Sequence, residues 1–143
     1  MAGSARIGFI GVVESVLDDT STVRLFPEFS DGLFGLGVFS HIIVLYWSHL
    51  RDNARDRRVL RVIPRRHEGA PEIGVFGSRS PSRPNPVALS VCELVRVEGS
   101  VLVLKGLDAV VGSPIIDIKP YLPRADSFPS ARVPEWVLHG PSA

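Results

Sequence analysis

At 143 residues, 45% hydrophobic and 22% charged, the chain is long enough for one domain with its own core, and its composition is that of a globular protein. Its one cysteine excludes an intrachain disulfide, and no uninterrupted apolar run approaches the roughly 18 residues of a membrane-spanning helix. The formal net charge is only +1, yet all but two of the sixteen cationic side chains are arginine, and seven of these fall between Arg51 and Arg66, which fits either a phosphate-bearing partner or a solvated basic loop.

No N-terminal run has the length or flanks of a signal peptide, so a soluble cytoplasmic protein is expected. Ile7 to Val13 (IGFIGVV) reads as a first strand, β-branched and aromatic but loosened by two glycines. Asp18 to Ser21 is a turn cluster, and Thr22 to Phe26 alternates as a short strand. Phe29 to Gly37 (FSDGLFGLG) is a glycine-punctuated loop. Its glycines run G-x-x-G-x-G, not in the dinucleotide-binding order, and no Walker A sequence occurs. Val38 to Leu50 (VFSHIIVLYWSHL) is the most apolar run and predicts a strand buried on both faces, although its length also admits a buried helix. His41 near its start reads as a structural residue.

The basic stretch Arg51–Arg66 holds a strand at Val59–Ile63, and His67–Pro71 is a turn. Gly74 to Leu89 (GVFGSRSPSRPNPVAL) is the most constrained segment. Pro81, Pro84 and Pro86 fix their own φ and restrict their predecessors, so no helix runs through, and Arg79 and Arg83 leave a stiff backbone in set directions. Guanidinium groups on a rigid loop between two strands are suited to binding; a surface turn with solvated arginines is the alternative. Leu89–Val97 and Val101–Leu107 form a hairpin across Glu98-Gly-Ser100, with Cys92 as a small buried hydrophobe. After a turn at Val110–Pro114, Ile115–Ile118 is a short strand, and Glu135–His139 in the proline-punctuated tail is a last strand or an anchoring segment. Seven or eight short strands with little helical periodicity predict an all-β barrel or sandwich in a single domain, 1–143, with no second domain.

Asp117 and Lys119 alternate along extended chain and so share a face. A carboxylate and an ammonium presented together suit a zwitterionic ligand, or they form a structural ion pair. Metal chemistry has no support: His41, His49, His67, His139 and Cys92 lack zinc-ligand spacing, and no H-E-x-x-H occurs; the G-x-S-x-G elbow of a serine hydrolase is not present either.

Three segments carry a family resemblance. F-G-S-R-S-P-S-R-P-N-P-V-A-L-S, G-L-D-A-V-V-G-S-P-I-I-D-I-K-P-Y-L-P-R-A-D (Gly106–Asp126) and, more weakly, F-S-H-I-I-V-L-Y-W-S-H (39–49) together resemble the TsaA-like (TrmO) family, in its order and spacing, over roughly Gly11 to Asp126. The resemblance implies a single β-barrel, a homodimer, and S-adenosylmethionine as cofactor. Carried over by position, it implies that His49, Leu50, Arg79, Leu89, Asp117, Ile118, Lys119 and Pro120 bind the donor. The family's Pro-Arg-Gln element has no counterpart here, and Arg24 is the candidate replacement.

The activity the resemblance implies is methylation of N6 of threonylcarbamoyladenosine next to the tRNA anticodon. Asp117, His49 and Tyr121 are then the candidates to accept or relay the N6 proton. Arg83 and Asn85 are candidates to face the nucleotide. Arg55, Arg57, Arg58 and Arg61 are candidates to contact the tRNA anticodon loop, with neither DNA nor membrane as partner. The alternatives are the same donor with a small metabolite or another RNA as acceptor, and a non-catalytic nucleotide- or RNA-binding regulatory module. Reversing the charges of Arg55, Arg57, Arg58 and Arg61 is expected to weaken RNA binding and flatten its salt dependence; unchanged affinity and slope would mean that the basic stretch meets only water.

Overall fold

On β2 (Thr20–Leu25), Ser21, Val23 and Leu25 are buried while Thr22 and Arg24 are not, the period-2 pattern of a strand with one face on a core. The same alternation runs through β3 (His41–Trp47), where Ile42, Val44 and Tyr46 are buried, and β6 (Val87–Glu98), where Ser90, Cys92 and Leu94 are. With β1 (Gly11–Leu17), β7 (Val101–Lys105) and β8 (Pro114–Pro120) they close into a six-stranded barrel in the order β1-β2-β7-β6-β3-β8. A computed structural model describes residues 3–140 of the chain. β4 (Arg61–Val62) and β5 (Ile73–Gly74) make a separate two-stranded sheet. The only α-helical segments among the described residues are single turns, α1 (Ala54–Arg57) and α2 (Pro123–Asp126). The all-β barrel read from the sequence is the observed fold.

Register is set by the core. Val13 faces Val23, Val23 faces Leu102, Leu104 faces Leu94, and Val44 faces Ile118 across antiparallel pairs. Register shifts in β1, in β6 and between β3 and β8 supply the local bends that a sheet needs to curl shut. Val13, Val23, Ile42, Val44, Leu102, Leu104 and Ile115 fill the interior and are essentially inaccessible to solvent. Cys92 lies among the fully buried residues, and burial, with a smaller contribution from Asp19, pushes its thiol up to about 12.

The chain divides into two compact units. One comprises the residues up to Trp47 with Leu89–Tyr121, and contains the barrel. The other comprises Ser48–Ala88 with the residues from Leu122 on, and contains α1, the β4–β5 sheet, the proline loop and the tail. In that second unit His67 Nδ1 lies 2.7 Å from the His139 carbonyl oxygen, His139 Nδ1 lies 3.1 Å from that of Glu68, and the His67 and Trp136 rings meet edge to face.

Several elements differ from the sequence reading. The first strand starts at Gly11, because only Ile10 of the preceding residues bonds to a neighbouring strand, donating to Ile115 and accepting from Phe26. β3 is not buried on both faces; Ile43, Leu45 and Trp47 look outward and are partly exposed. The glycine loop is two 3-10 turns, Pro27–Leu33 and Leu36–Val38, and Glu135–Leu138 is also a 3-10 turn rather than a strand.

Gly11 pairs with both Leu25 and Ile115. A Cβ there would press into the Arg24 carbonyl oxygen and lie 3.0 Å from Leu25 Cα, main-chain atoms that cannot swing aside. Gly11→Ala is expected to destabilise the fold by about 1–3 kcal/mol, the usual cost of overpacking, seen as a lower Tm. Gly37→Ala, with nothing within 4 Å of its Cβ, should leave Tm nearly unchanged.

Candidate functional site

The expected site residues divide between the two units. In the barrel unit they gather on β8. Asp117 stands opposite Leu45 and Lys119 opposite Ile43, on the face that points away from the core, while Ile118 and Pro120 stand opposite the buried Val44 and Ile42. Lys119 Nζ lies 2.9 Å from Asp117 Oδ2, and the two side chains are 60% and 44% exposed. An ion pair this accessible contributes at most about 1 kcal/mol to stability, so it is of little use as a brace for the barrel. It leaves a carboxylate and an ammonium within reach of a ligand. The Asp117 Oδ1 atom also accepts from the Ile118 main-chain N–H at 2.9 Å, which fixes the carboxylate's orientation. The predicted same-face pair is therefore formed. Ile118 and Pro120 have their side chains on the core side, which leaves the main chain as what they offer at the outer face.

Leu89 lies on the outer face of β6, 41% exposed, in step with Val91 and Val95. With Ile43 and Leu45 of β3 it gives the outer wall of three adjacent strands an apolar surface beside the charged pair. The alternation of β3 signalled Ile43 and Leu45, but reading that run as buried on both faces concealed them. Tyr121 follows β8, its N–H donating to the His41 carbonyl at 3.1 Å and its ring set edge-on to the His41 ring. Arg24, across from Val12, donates through Nε and Nη2 to Glu14, at 2.9 and 2.6 Å.

In the second unit, His49 and Leu50 open a 3-10 turn, His49–Arg51. Leu50 is exposed. His49 Nδ1 is buried with no hydrogen-bond partner among the described residues, an exception in a folded protein. The proline loop is tied down at many points. Ser48 N–H donates to the Pro86 carbonyl at 2.8 Å. Arg57 donates to the Pro84 carbonyl at 2.9 Å, to Asn85 Oδ1 at 3.2 Å and to Asp52 at 2.9 Å. Arg83 turns back on its own loop and donates to the carbonyls of Ser78 and Ser80, both at 3.0 Å. Arg57, Arg83 and Asn85 thus have bonds within the unit, and Arg61 pairs with Glu72 at 2.5 Å. Arg79, Arg55 and Arg58 are exposed and make no ion pair or side-chain hydrogen bond among the described residues. Arg79 is the free guanidinium of the stiff loop.

The tRNA-methyltransferase O N-terminal domain matches the chain over residues 13–127. The chain belongs to this family. A probable S-adenosyl-L-methionine-binding protein of Methanothermobacter thermautotrophicus is 50% identical over 110 residues, covering 77% of this chain and 75% of its own. The tRNA (adenine(37)-N6)-methyltransferase of Escherichia coli K12 is 38% identical over 125 residues, 85% of this chain and 52% of its own. The crystal structure of TrmO from Pseudomonas aeruginosa superposes with a TM-score of 0.74 at 27% identity, over 94% of this chain and 62% of that one. The chain thus spans about half the length of the Escherichia coli enzyme and less than two thirds of the solved TrmO chain.

Sequence reasoning missed Asp56, the residue on which the TrmO-family loop is hung here. Asn53 caps α1, its Oδ1 accepting from the Asp56 N–H at 2.8 Å while its Nδ2 donates to Asp56 Oδ2 at 2.6 Å, so the two residues are tied by two hydrogen bonds. Ser82 Oγ donates to Asp56 Oδ1 at 2.6 Å. The Asn53-x-x-Asp56 spacing signals the cap; nothing local signals Ser82. These bonds, Ser82 first and Asn53 next, hold the Asp56 carboxyl below its usual value, with Arg51 and Arg55 adding to the effect. A carboxyl depressed in the folded state gives its full stabilisation above the ordinary carboxylate range and loses it as pH falls through the depressed value. Ser82→Ala should raise the Asp56 titration midpoint, followed by NMR. It should also lower stability at neutral pH, by a difference that shrinks toward acid.

Proposed function

We propose that the chain is an S-adenosylmethionine-dependent methyltransferase whose acceptor is a tRNA base, namely N6 of threonylcarbamoyladenosine beside the anticodon. The observation that carries this reading is the accessible Lys119–Asp117 pair on the outer wall of the barrel, in a family whose Escherichia coli relative is named a tRNA (adenine(37)-N6)-methyltransferase. The donor's methionine end carries a carboxylate and an amine. The Lys119 ammonium suits the carboxylate and Asp117 suits the amine, and the exposed Arg79 guanidinium of the second unit is itself suited to an anionic group. His49, with its unpartnered buried Nδ1, suits a polar group of the donor or the acceptor. Leu89, exposed, with the main chain at Ile118 and Pro120, offers apolar and hydrogen-bonding surface suited to an adenine, and Leu50 of the second unit is an exposed apolar residue of the same kind. The residues present therefore fit the group.

When bound, S-adenosylmethionine supplies a methyl group on a sulfonium, already a strong electrophile. The work left to these residues is to hold the acceptor in line, exclude water and take a proton from the amide-like N6–H. Both oxygens of Asp117 are engaged, by Ile118 and Lys119, which makes it an orienting group. His49 is the candidate proton acceptor, since its Nδ1 has no competing bond among the described residues. Tyr121 is the candidate relay. Arg55 and Arg58 are the arginines of the basic stretch that stand ready for RNA phosphates, and Arg57, Arg83 and Asn85 keep the loop in shape behind Arg79. The protein acts as a cytoplasmic homodimer in this reading, on RNA rather than DNA. Among the described residues no helix is long and apolar enough to cross a membrane.

One observation favours a second reading: the Methanothermobacter relative is named only for binding S-adenosylmethionine, which fits a binder without turnover. Calorimetric titration with S-adenosylmethionine tests the donor reading. One saturable site per chain is expected, weakened roughly 10- to 100-fold in Arg79→Ala and in Lys119→Ala, the effect of losing one charge-assisted hydrogen bond. Transfer of labelled methyl into threonylcarbamoylated tRNA, lost in His49→Ala, separates the enzyme from the binder.

A further inference from the structure

The segment between β2 and β3 has a feature that the methyl-transfer reading does not use. Leu33 is buried and pins the first 3-10 turn to the barrel, and the next residue, Phe34, is 96% exposed. The backbone holds that outward setting. Phe34 N–H donates to the Asp31 carbonyl at 3.2 Å, and Gly35 follows at φ +78, a left-handed corner that a side chain would strain. A single exposed apolar residue is ordinary, but Val38 is 85% exposed a turn later, and Phe29 and Phe39 are each more than a third exposed. Beside Phe34 lies a shallow recess of about 520 Å³ that is widely open to solvent. Its walls include Ser30, Asp31, Val97, Gly99 and Ser100, all in the barrel unit. The Asp31 carboxylate makes no ion pair among the described residues. Ser30 Oγ donates to the Pro27 carbonyl at 2.9 Å, which leaves its oxygen free to accept.

An open aromatic face over a recess with a bare carboxylate and hydroxyls is a poor site for a phosphate, which the carboxylate would repel. It is a good site for a planar heterocycle that carries an exocyclic amine. Proteins that read single-stranded RNA stack unpaired bases on aromatic rings and bond their edges, and carboxylates accept from exocyclic amines such as cytosine N4. We propose that the recess beside Phe34 holds one unstacked, amine-bearing base of a single-stranded RNA segment, its face on the Phe34 ring and its amine toward Asp31. This rests on the reading of the chain as acting on RNA, and it adds a base-reading position outside the residues assigned to donor and methyl transfer.

The test uses the full chain and measures affinity for unmodified tRNA and for oligoadenylate and oligouridylate of equal length, by fluorescence anisotropy. Wild type is expected to prefer oligoadenylate over oligouridylate. Phe34→Ala should weaken oligoadenylate and tRNA binding about 5- to 150-fold, the effect of removing one base–aromatic stack. Phe34→Trp should keep the affinity and show quenching of the new indole on binding, and Asp31→Ala, which removes the acceptor, should erase the preference for adenylate. S-adenosylmethionine titration should be the same in all three variants, so a failure of donor binding counts against the methyltransferase reading and not against the recess. Wild-type RNA binding that is untouched in Phe34→Ala would overturn the proposal, as would an absence of RNA binding by the wild type. If Phe34→Ala changes only the sedimentation of the protein and not its RNA affinity, the face is a contact between copies and the proposal is likewise overturned.

Discussion

A segment with three prolines has more hydrogen-bond acceptors than donors, and the second unit is arranged around that imbalance. Pro81, Pro84 and Pro86 offer carbonyls but no N–H groups. Arginine is the complementary residue, a fork of donors with no acceptor. Arg57 reaches the Pro84 carbonyl and Asn85, Arg83 reaches the carbonyls of Ser78 and Ser80, and the Ser48 main chain takes Pro86. Asp56 closes the set by accepting from Ser82 while its N–H donates to Asn53, the cap of α1. Part of the arginine richness of this chain thus answers to proline chemistry rather than to a partner. The same accounting separates Arg57 and Arg83, which bond within the unit, from Arg79, Arg55 and Arg58, which make no side-chain hydrogen bond among the described residues.

The barrel provides the other half of the scaffold by a different principle. Its strands are specified by alternation, so every residue that turns inward to the core obliges its neighbours to turn outward. Val44 and Ile42 in the core place Leu45 and Ile43 outside, and their partners on β8, Asp117 and Lys119, follow them. The charged pair sits where it does because of which residues are buried behind it. A shift of β8 by one residue would bring Asp117 and Lys119 to the core face and carry Ile118 out.

What the sequence made legible follows from the range of the signal. The Asp117–Lys119 pair needs only a spacing of two on an extended chain, and the Glu98–Ser100 hairpin only its local turn chemistry, and both are found. The barrel followed from many short strands in series, and its family from long motifs in order. What was not legible depends on partners far along the chain. Ser82 meets Asp56 across 26 positions, and Arg57 meets Pro84 across 27. The 3-10 turns at 27–38 and 135–138 have neither helical nor strand periodicity to betray them. The extent of β3 was read well but its sidedness was not, because Ile43, Leu45 and Trp47 are as apolar as the core residues between them.

The sealed position of Cys92 gives the molecule a built-in gauge of its own opening. It is the only sulfhydryl in the sequence, it lies wholly inside the barrel, and its proton is held well into the alkaline range. A thiol reagent therefore has nothing to attack until β6 parts from its neighbours, and once it does there is a single place to react. The pace of labelling counts excursions of the barrel alone, leaving the proline loop and the tail silent. Loosening of the cage can thus be told apart from loosening of the second unit without adding a probe.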